Sequence, residues 1–178
     1  MLEECKASSR IFGGRVLNLR LDQVLLEDGT KSTREVVEHP GAVAIVPILN
    51  NDQILLVRQY RYAIGRDLLE IPAGTLKIGE DPRTAAIREL EEETGYKTEQ
   101  MKKIIEIYMA PGYTTEKIYV YLATNLQKSK TRLDEDERIE VDPLPFADAL
   151  RKVRSGEICD AKTVCGLYRA EELLSTHV

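Results

Sequence analysis

The sequence predicts an α+β fold in which a mixed β-sheet lies between helices, with an antiparallel β-strand extension at the N-terminus. Two observations indicate this class. Short alternating or wholly apolar runs typical of strands recur along the chain, whereas helix signals are confined to a few segments after Glu80. Most connections between strands are also too short for the crossovers of an all-parallel sheet. The 178 residues, 43% of them hydrophobic, suffice for one globular domain, alone or with a small appendage.

Residues 1–40 have the pattern of β-structure. Residues 16–22 alternate between apolar and polar, which is the period of a half-buried strand. Asp28-Gly29 is a hairpin turn signal, and residues 31–39 alternate again, less regularly. A piece of this size does not hold a core alone. We therefore predict that segment 1–40 is an extension that packs on the rest of the chain or on another chain.

From Gly41 the pattern changes to that of the main domain, which we predict to span residues 41–178. Residues 42–49 form a continuous apolar run typical of a strand that is buried on both faces. Residues 54–61 form a second strand, and the short turn between the two predicts that they pair as a hairpin. A short third strand is predicted at residues 67–71.

The first helix has signals at both of its ends. Asp81 suits the N-cap, Pro82 suits the first helical position, and Gly95 suits the C-terminal cap. The sequence therefore predicts a helix that begins at Pro82 and ends just before Gly95.

The rest of the chain is predicted to form two strands, a polar and mobile loop, and two helices. In chain order these are strands near residues 102–110 and 116–124, the loop at 127–140, and helices near 145–156 and 161–174.

Composition argues against several classes of function. The formal net charge of −5 has the wrong sign for a protein that grips nucleic-acid backbones. No apolar run approaches the ~18 residues of a membrane-spanning helix, and the acidic start lacks the apolar stretch of a signal peptide. The three cysteines lack the CxxC spacing of a zinc site, and we expect them to be reduced thiols. We expect a cytoplasmic protein with no nucleic-acid or membrane partner.

A cluster of carboxylates on the first helix indicates the chemistry. Glu89, Glu92 and Glu93 share one face because they are three and four residues apart. They lie near the end of the helix, where its dipole disfavours negative charge, and they repel one another, with Arg88 the only basic neighbour on the helix to compensate. A hard divalent cation makes such a cluster favourable, and Mg²⁺ prefers oxygen ligands. The alternative is a solvated acidic surface.

A glycine loop precedes this helix, and Gly74 allows a tight turn there. Five residues separate Gly74 from Glu80, and seven more lead to the run Arg88-Glu89-Leu90-Glu91-Glu92-Glu93-Thr94-Gly95-Tyr96. This stretch resembles the signature of the Nudix hydrolase family at every fixed position, with Tyr96 standing where an aliphatic residue is usual. The resemblance implies the Nudix fold and cleavage of a nucleoside diphosphate that is linked to another group.

The same resemblance implies a role for most residues of this stretch. The implied metal ligands are Glu89, Glu92, Glu93 and the carbonyl oxygen of Ala73. Mg²⁺ is the implied cofactor, with Mn²⁺ as a substitute, and Glu93 is also counted among the catalytic residues. Arg88 is expected to orient a glutamate through a charged hydrogen bond. Glu80 either binds metal or makes a structural bond in the loop.

Other segments resemble the ADP-ribose pyrophosphatases of this family. Pro111 lies fifteen residues beyond Tyr96, and similar runs occur at residues 34–39, 58–61 and 69–74. By this resemblance Arg61 holds the terminal ribose phosphate or the diphosphate. The full set of implied substrate-binding residues is Arg34, Glu35, Arg61 and Gly112. The resemblance also implies a homodimer in which residues 8–39 contact the partner. Arg34 and Glu35 are then expected to reach the nucleotide from one subunit or the other.

The general base is expected in a loop after the helix, because the resemblance places it there rather than on the helix. The acidic run 134–140 lies at that place, and its candidates are Glu135 and Glu137. Glu137 is favoured because Arg138-Ile139 has the pattern of the start of an ordered strand that would position it. The alternative is a solvated acidic loop.

The leading hypothesis is therefore Mg²⁺-dependent hydrolysis of ADP-ribose to AMP and ribose 5-phosphate. One alternative is a pyrophosphatase for another nucleotide sugar, such as GDP-mannose or ADP-glucose. A second alternative, from another class, is a Nudix-fold module that binds ADP-ribose without cleaving it. The unbroken glutamates of the helix argue against that module.

Overall fold

The computed structural model describes residues 2–50, 52–131 and 138–175. Strands and helices follow one another as an α+β fold requires. The strands are β1 (Glu3–Gly13), β2 (Asn18–Leu26), β3 (Lys31–Glu38), β4 (Ala42–Pro47), β5 (Gln53–Arg61), β6 (Arg66–Glu70), β7 (Ala73–Thr75), β8 (Tyr96–Lys97), β9 (Met101–Tyr108), β10 (Lys117–Ala123), β11 (Gln127–Lys128) and β12 (Ile139–Pro145). The helices are α1 (Pro82–Thr94), α2 (Phe146–Ser155) and α3 (Ala161–Ser175), and a 3₁₀ helix spans Tyr62–Ile64. Within the described ranges no helix combines the length and apolar character needed to cross a membrane.

The first of two compact units contains residues Met1–Gly41 and Tyr108–Lys117. Its antiparallel sheet has the strand order β1-β2-β3. The turn between β2 and β3 is the one predicted from Asp28-Gly29. Gly29 has a φ of 81°, and the Asp28 carboxylate accepts a hydrogen bond of 2.9 Å from the Thr30 amide.

Strand β1 has no hydrophobic pattern of its own, since all 11 of its residues are exposed. It pairs with β2 through the backbone, from Glu3 opposite Leu26 to Gly13 opposite Asn18. Because neither face of β1 is buried, nothing constrains its side chains to alternate. For that reason the sequence indicates β-structure in this region without marking this strand individually.

The second unit contains Ala42–Ile107 and Ile118–Val178. Its four-stranded sheet has the order β7-β4-β10-β9, in which β4 and β10 are parallel and β4 and β7 are antiparallel. A three-stranded antiparallel sheet has the order β12-β5-β6, and β11 pairs with β8. The predicted mixed sheet is confirmed.

The predicted hairpin of β4 with β5 is wrong. The chain does turn between them, with the Leu49 amide donating to the Gln53 carbonyl at 2.8 Å. Beyond one isolated bridge between Ile48 and Ile54, however, the strands part and enter different sheets. All six residues of β4 are buried, and its backbone pairs with β10 on one edge and β7 on the other. A strand buried on both faces carries no pattern that names its partners.

The polar segment that we predict to be a loop at 127–140 contains two strand segments at its ends. β11 starts at Gln127 and β12 starts at Ile139, while residues 132–137 lie outside the described residues. β12 is an edge strand that carries Pro143 and Pro145. Proline donates no backbone hydrogen bond, so it is tolerated at an edge position. Because proline within a run argues against a strand, the sequence pattern did not predict the full extent of β12.

Both predicted ends of α1 are confirmed. The Asp81 side chain accepts from the Thr84 amide at 2.9 Å, and Gly95 has a φ of 70° with its amide donating to the Glu91 carbonyl. The helix buries Ala85, Ala86 and Leu90 completely in the core cluster that contains Val43, Ile45 and Leu55 of the sheets. This packing determines which face of α1 remains for its glutamates.

Candidate functional site

Gly74, in β7, lies directly against the glutamate face of α1. A Cβ atom added at Gly74 would lie 2.0 Å from Cδ of Glu89 and 2.1 Å from its Oε1. Only a residue without a side chain therefore allows the Glu89 carboxylate to rest on the backbone of β7. The glycine of the signature serves this close approach, since no positive φ is found at this position.

Gly74→Ala is expected to lower kcat/KM about 10–100-fold, because a displaced metal-site or substrate-positioning group typically costs that much. Glu89 is long and flexible and moves aside at little cost, so the free energy of unfolding should change by less than about 1 kcal/mol. Equal activity of Gly74→Ala and wild type would show that the position of Glu89 is unimportant.

Arg88 joins three of the glutamates of the signature. Its Nε and Nη2 donate to the two carboxylate oxygens of Glu80 at 2.9 and 3.0 Å. Its Nη1 donates to Glu89 at 2.6 Å and to Glu92 at 2.8 Å. These hydrogen bonds, with that to Glu80 foremost, raise the pKa of Arg88 above its ordinary value. The charged hydrogen bond expected between Arg88 and a glutamate is present, and Arg88 bonds to more than one glutamate.

Glu80 makes the structural bonds that were one of its two predicted roles. Beside the two bonds from Arg88, its Oε2 accepts a hydrogen bond of 3.0 Å from the Lys77 amide. The hydrogen bonds from Arg88 lower the pKa of Glu80 from 4.5 to about 2, against a smaller opposing effect of burial. Glu80 thus closes the loop between β7 and α1 as a carboxylate.

The lowered pKa of Glu80 predicts a pH-dependent contribution to stability. The contribution is fully present above the ordinary pKa of 4.5 and is lost as the pH falls towards about 2. Glu80→Gln is expected to be less stable than wild type by about 1.5–3 kcal/mol at pH 6, the usual value of hydrogen bonds to a charged group. Urea unfolding at a series of pH values should show this difference shrinking below pH 4.5. If the stability difference between Glu80→Gln and wild type were as large at low pH as at pH 6, the ionised Glu80 would not be the source of this stability.

Glu93 is the buried member of the glutamate face, with 4% of its surface exposed. Its Oε2 accepts a hydrogen bond of 3.2 Å from the amide of Ala73. Three of the four predicted metal-binding groups are thus gathered where β7 meets α1, with Glu93 beside Ala73 and Glu89 beside Gly74. The fourth, Glu92, is linked to Glu89 through Arg88.

These groups do not form a ready coordination shell. Among the described residues no set of three His, Cys, Asp or Glu side chains is arranged to hold a metal ion. Arg88 Nη1 instead donates to both Glu89 and Glu92. The donor set itself fits a hard divalent cation, because it consists of carboxylate and carbonyl oxygens.

Arg61, the predicted phosphate-binding residue, ends strand β5 and pairs with a buried glutamate. Its Nε and Nη2 donate to the two oxygens of Glu70 at 2.7 and 2.6 Å. Burial alone would raise the pKa of Glu70, but the bonds from Arg61 and the charge of Lys162 lower it. The charges of Asp160 and Glu93 also act on Arg61. Arg61 therefore lies near the glutamate face, and its guanidinium is oriented by Glu70.

The start of α3 also contacts the strand that carries Glu70, an arrangement that no local sequence pattern predicted. The Lys162 ammonium donates to Glu70 and lies 3.1 Å from Asp160. Thr163 accepts from the Ile71 amide at 2.9 Å and donates to Asp160 at 2.6 Å. A helix start with Asp three residues before Thr is a visible capping signal, but no local signal shows that its lysine is buried.

Three predicted substrate-binding residues belong to the first unit, whereas the signature lies in the second. Arg34 is bound within its own sheet, where Nε donates to Glu3 at 2.8 Å and Nη1 donates to Ser32 at 2.9 Å. Glu35 is its exposed neighbour on β3, and adjacent strand residues point to opposite faces. Gly112 lies exposed in the turn closed by the Tyr113 amide and the Ala110 carbonyl at 3.1 Å.

The two candidate bases, Glu135 and Glu137, lie outside the described residues. The chain enters β12 at Ile139, which pairs with Gln59 of β5. The strand start that favoured Glu137 is therefore present, two residues after it.

Comparison with known proteins agrees with this arrangement. The family model described as NUDIX domain matches residues 38–164. The chain is 45% identical to the methanol dehydrogenase activator of Bacillus methanolicus, over 91% of this chain and 89% of that protein. It is 44% identical to the ADP-ribose pyrophosphatase of Bacillus subtilis strain 168, over 90% of this chain and 88% of that protein. A crystal structure of an ADP compounds hydrolase matches with a TM-score of 0.88 at 24% identity, over 99% of this chain and 96% of that one, which shows the fold.

Proposed function

This chain belongs to the Nudix hydrolase family, and from that premise we propose that it hydrolyses the diphosphate of ADP-ribose to AMP and ribose 5-phosphate. The observation that carries the proposal is the complete glutamate face of α1, held by Arg88 and set against Gly74 and Ala73. The near-full-length similarity to an ADP-ribose pyrophosphatase supports the choice of substrate.

In the proposed reaction, water attacks one phosphorus of the diphosphate and the bridging P–O bond breaks. When bound, divalent metal ions supply charge neutralisation of the diphosphate and activation of the water. Glu89, Glu92, Glu93 and the Ala73 carbonyl would hold them, and we propose Mg²⁺ as the physiological ion with Mn²⁺ as a substitute.

The basic side chains of the site have separate tasks. Arg88 keeps Glu89 and Glu92 in place through its bonds to both. Arg61, oriented by Glu70, binds the diphosphate or the terminal ribose phosphate through its remaining exposed surface.

Glu137, or else Glu135, takes the proton of the attacking water and releases it to solvent. We place Arg34 and Glu35 at the nucleotide end of the substrate, and we count Gly112 among the substrate-binding residues.

The proposal is tested by a cleavage assay over a panel of ADP-ribose, ADP-glucose and GDP-mannose, with each of Mg²⁺, Mn²⁺ and EDTA. The expected result is the highest kcat/KM for ADP-ribose, with AMP and ribose 5-phosphate as products and no turnover in EDTA. A higher kcat/KM for GDP-mannose or ADP-glucose would assign the substrate to that nucleotide sugar. Binding of ADP-ribose without cleavage under every metal condition would instead identify a binding module.

We propose that the enzyme acts in the cytoplasm as a homodimer in which residues 8–39 contact the partner. Edge strand β1 is exposed along its length, and Ile11 and Phe12 are 59% and 57% exposed. Long exposed edges with apolar side chains are typical sites of pairing with another chain.

Sedimentation equilibrium at micromolar concentration is expected to give about twice the chain mass of 20.1 kDa. Phe12→Lys places a charge in the proposed interface and should lower the measured mass towards that of one chain. Lys103→Glu, at an exposed position of the second unit, is the control. A wild-type mass of one chain would contradict the dimer.

A further inference from the structure

The ion pair of Arg61 and Glu70 has an electrostatic consequence for phosphate binding. Glu70 is 1% exposed, and both of its oxygens accept from the Nε and Nη2 edge of Arg61. The Arg61 side chain keeps 38% of its surface exposed. Its geometry is thus held by a carboxylate that also offsets its positive charge, which weakens its attraction for an anion.

Lys162 supplies a second positive charge to the same carboxylate. It is 8% exposed, and its ammonium donates to Glu70 Oε2, the oxygen that also accepts from Nη2 of Arg61. A buried lysine is rare unless it is paired. The ion pair is not needed to cap the helix, because Asp160 already accepts from the amide and hydroxyl of Thr163 at 3.0 and 2.6 Å.

The four side chains that hydrogen bonds and ion pairs link here carry balanced charges, and the charge of Glu93 acts on Arg61 from outside this set. Two acids, Glu70 and Asp160, face two bases, Arg61 and Lys162. Without the lysine, Arg61 would be the sole cation bonded to Glu70 and would be drawn towards two acids. With the lysine present, Glu70 still holds the Arg61 guanidinium in place, while the Lys162 ammonium offsets part of the negative charge of Glu70.

We infer that Lys162 is a positioning residue for Arg61, acting through Glu70 to keep the charge of Arg61 available to the phosphate groups of a nucleotide sugar. The inference rests on the proposed function, which places Arg61 on the substrate. It makes the first turn of α3 part of the apparatus for substrate affinity, although Lys162 itself lies under Glu70 and away from solvent.

The test measures KM and kcat for ADP-ribose, and the Kd of inorganic pyrophosphate, in Lys162→Met and Lys162→Arg. Lys162→Met is expected to raise KM and Kd about tenfold, the value of one charged hydrogen bond, with kcat changed less than about threefold. Lys162→Arg keeps the charge and should restore both constants to near the wild-type values. Lys152→Met removes a lysine whose ion pair with Glu157 is exposed, and it is the matched control.

A purely structural role is distinguished by repeating the substitution in an Arg61→Ala background. If Lys162 acts through Arg61, Lys162→Met should add little further change in the Kd of pyrophosphate once Arg61 is gone. The same tenfold change in both backgrounds would overturn the inference, as would a lowered kcat with unchanged KM and Kd.

Two further measurements cover the cases in which Lys162→Met does not fold or wild type does not cleave ADP-ribose. If Lys162→Met does not fold, Lys162→Gln retains a donor for Glu70 without the charge. The same rise in Kd is expected of it, and an unchanged Kd would overturn the inference. If wild type does not cleave ADP-ribose, the proposed function fails, while the Kd of pyrophosphate in the same variants still decides the role of Lys162.

Discussion

Glu93→Gln is expected to reduce the turnover of ADP-ribose about 10³-fold while the protein remains folded. A metal ion that neutralises charge in the transition state contributes several kcal/mol, and each 1.36 kcal/mol is a factor of ten in rate. The neutral amide of Gln offsets no cationic charge. It still accepts a hydrogen bond from the Ala73 amide, as Glu93 does at 3.2 Å, so the local fold should persist.

The measurement is kcat at saturating Mg²⁺, accompanied by thermal unfolding without metal. Removing one of the mutually repelling carboxylates should leave the metal-free protein as stable as wild type or slightly more so. Glu99→Gln, at an exposed position after the helix, is the control for a loss of negative charge. Turnover of Glu93→Gln within threefold of wild type would end the assignment of Glu93 as a metal ligand.

The second large effect is expected from the general base. Glu137→Gln or Glu135→Gln should lower kcat at least about 10²-fold, since loss of a general base typically costs 10²–10⁴ in rate. The glutamates of α1 are engaged by Arg88, by the Ala73 amide and, in the proposed reaction, by metal, so they are poorly placed to take the proton. A base on a separate segment is able to arrive when substrate binds.

Titration of activity with Mg²⁺ should show little change in metal affinity for either base variant, which separates the base from the metal ligands. Glu140→Gln, in the same acidic run but inside β12, is the matched control. If both single variants and the double variant keep a near-normal kcat, the base lies elsewhere. Glu116 would then be the next candidate, because Glu70 and Glu80 already accept bonds from basic side chains at both oxygens.

Local signals in the sequence determined much of this protein. Asp81, Pro82 and Gly95 define the two ends of α1, because capping depends on residues within one turn of the helix end. The Asp28-Gly29 turn follows in the same way from the backbone preferences of its own residues. The signature from Gly74 to Tyr96 likewise lies within a single stretch of chain, so the family and the glutamate face of α1 were predictable.

The tertiary structure alone decided how distant segments meet. β4 and β5 are consecutive in sequence but lie in different sheets, and β4 pairs in parallel with β10. A hydrophobic run shows that a strand is buried but not which strand lies beside it. Lys162 reaches Glu70 across 92 residues of sequence. No local pattern predicts a buried lysine, because its burial is favourable only when the fold brings an acid to it. The sequence by itself therefore determined the glutamate face of α1, and only the tertiary structure placed Lys162 against the carboxylate that binds Arg61.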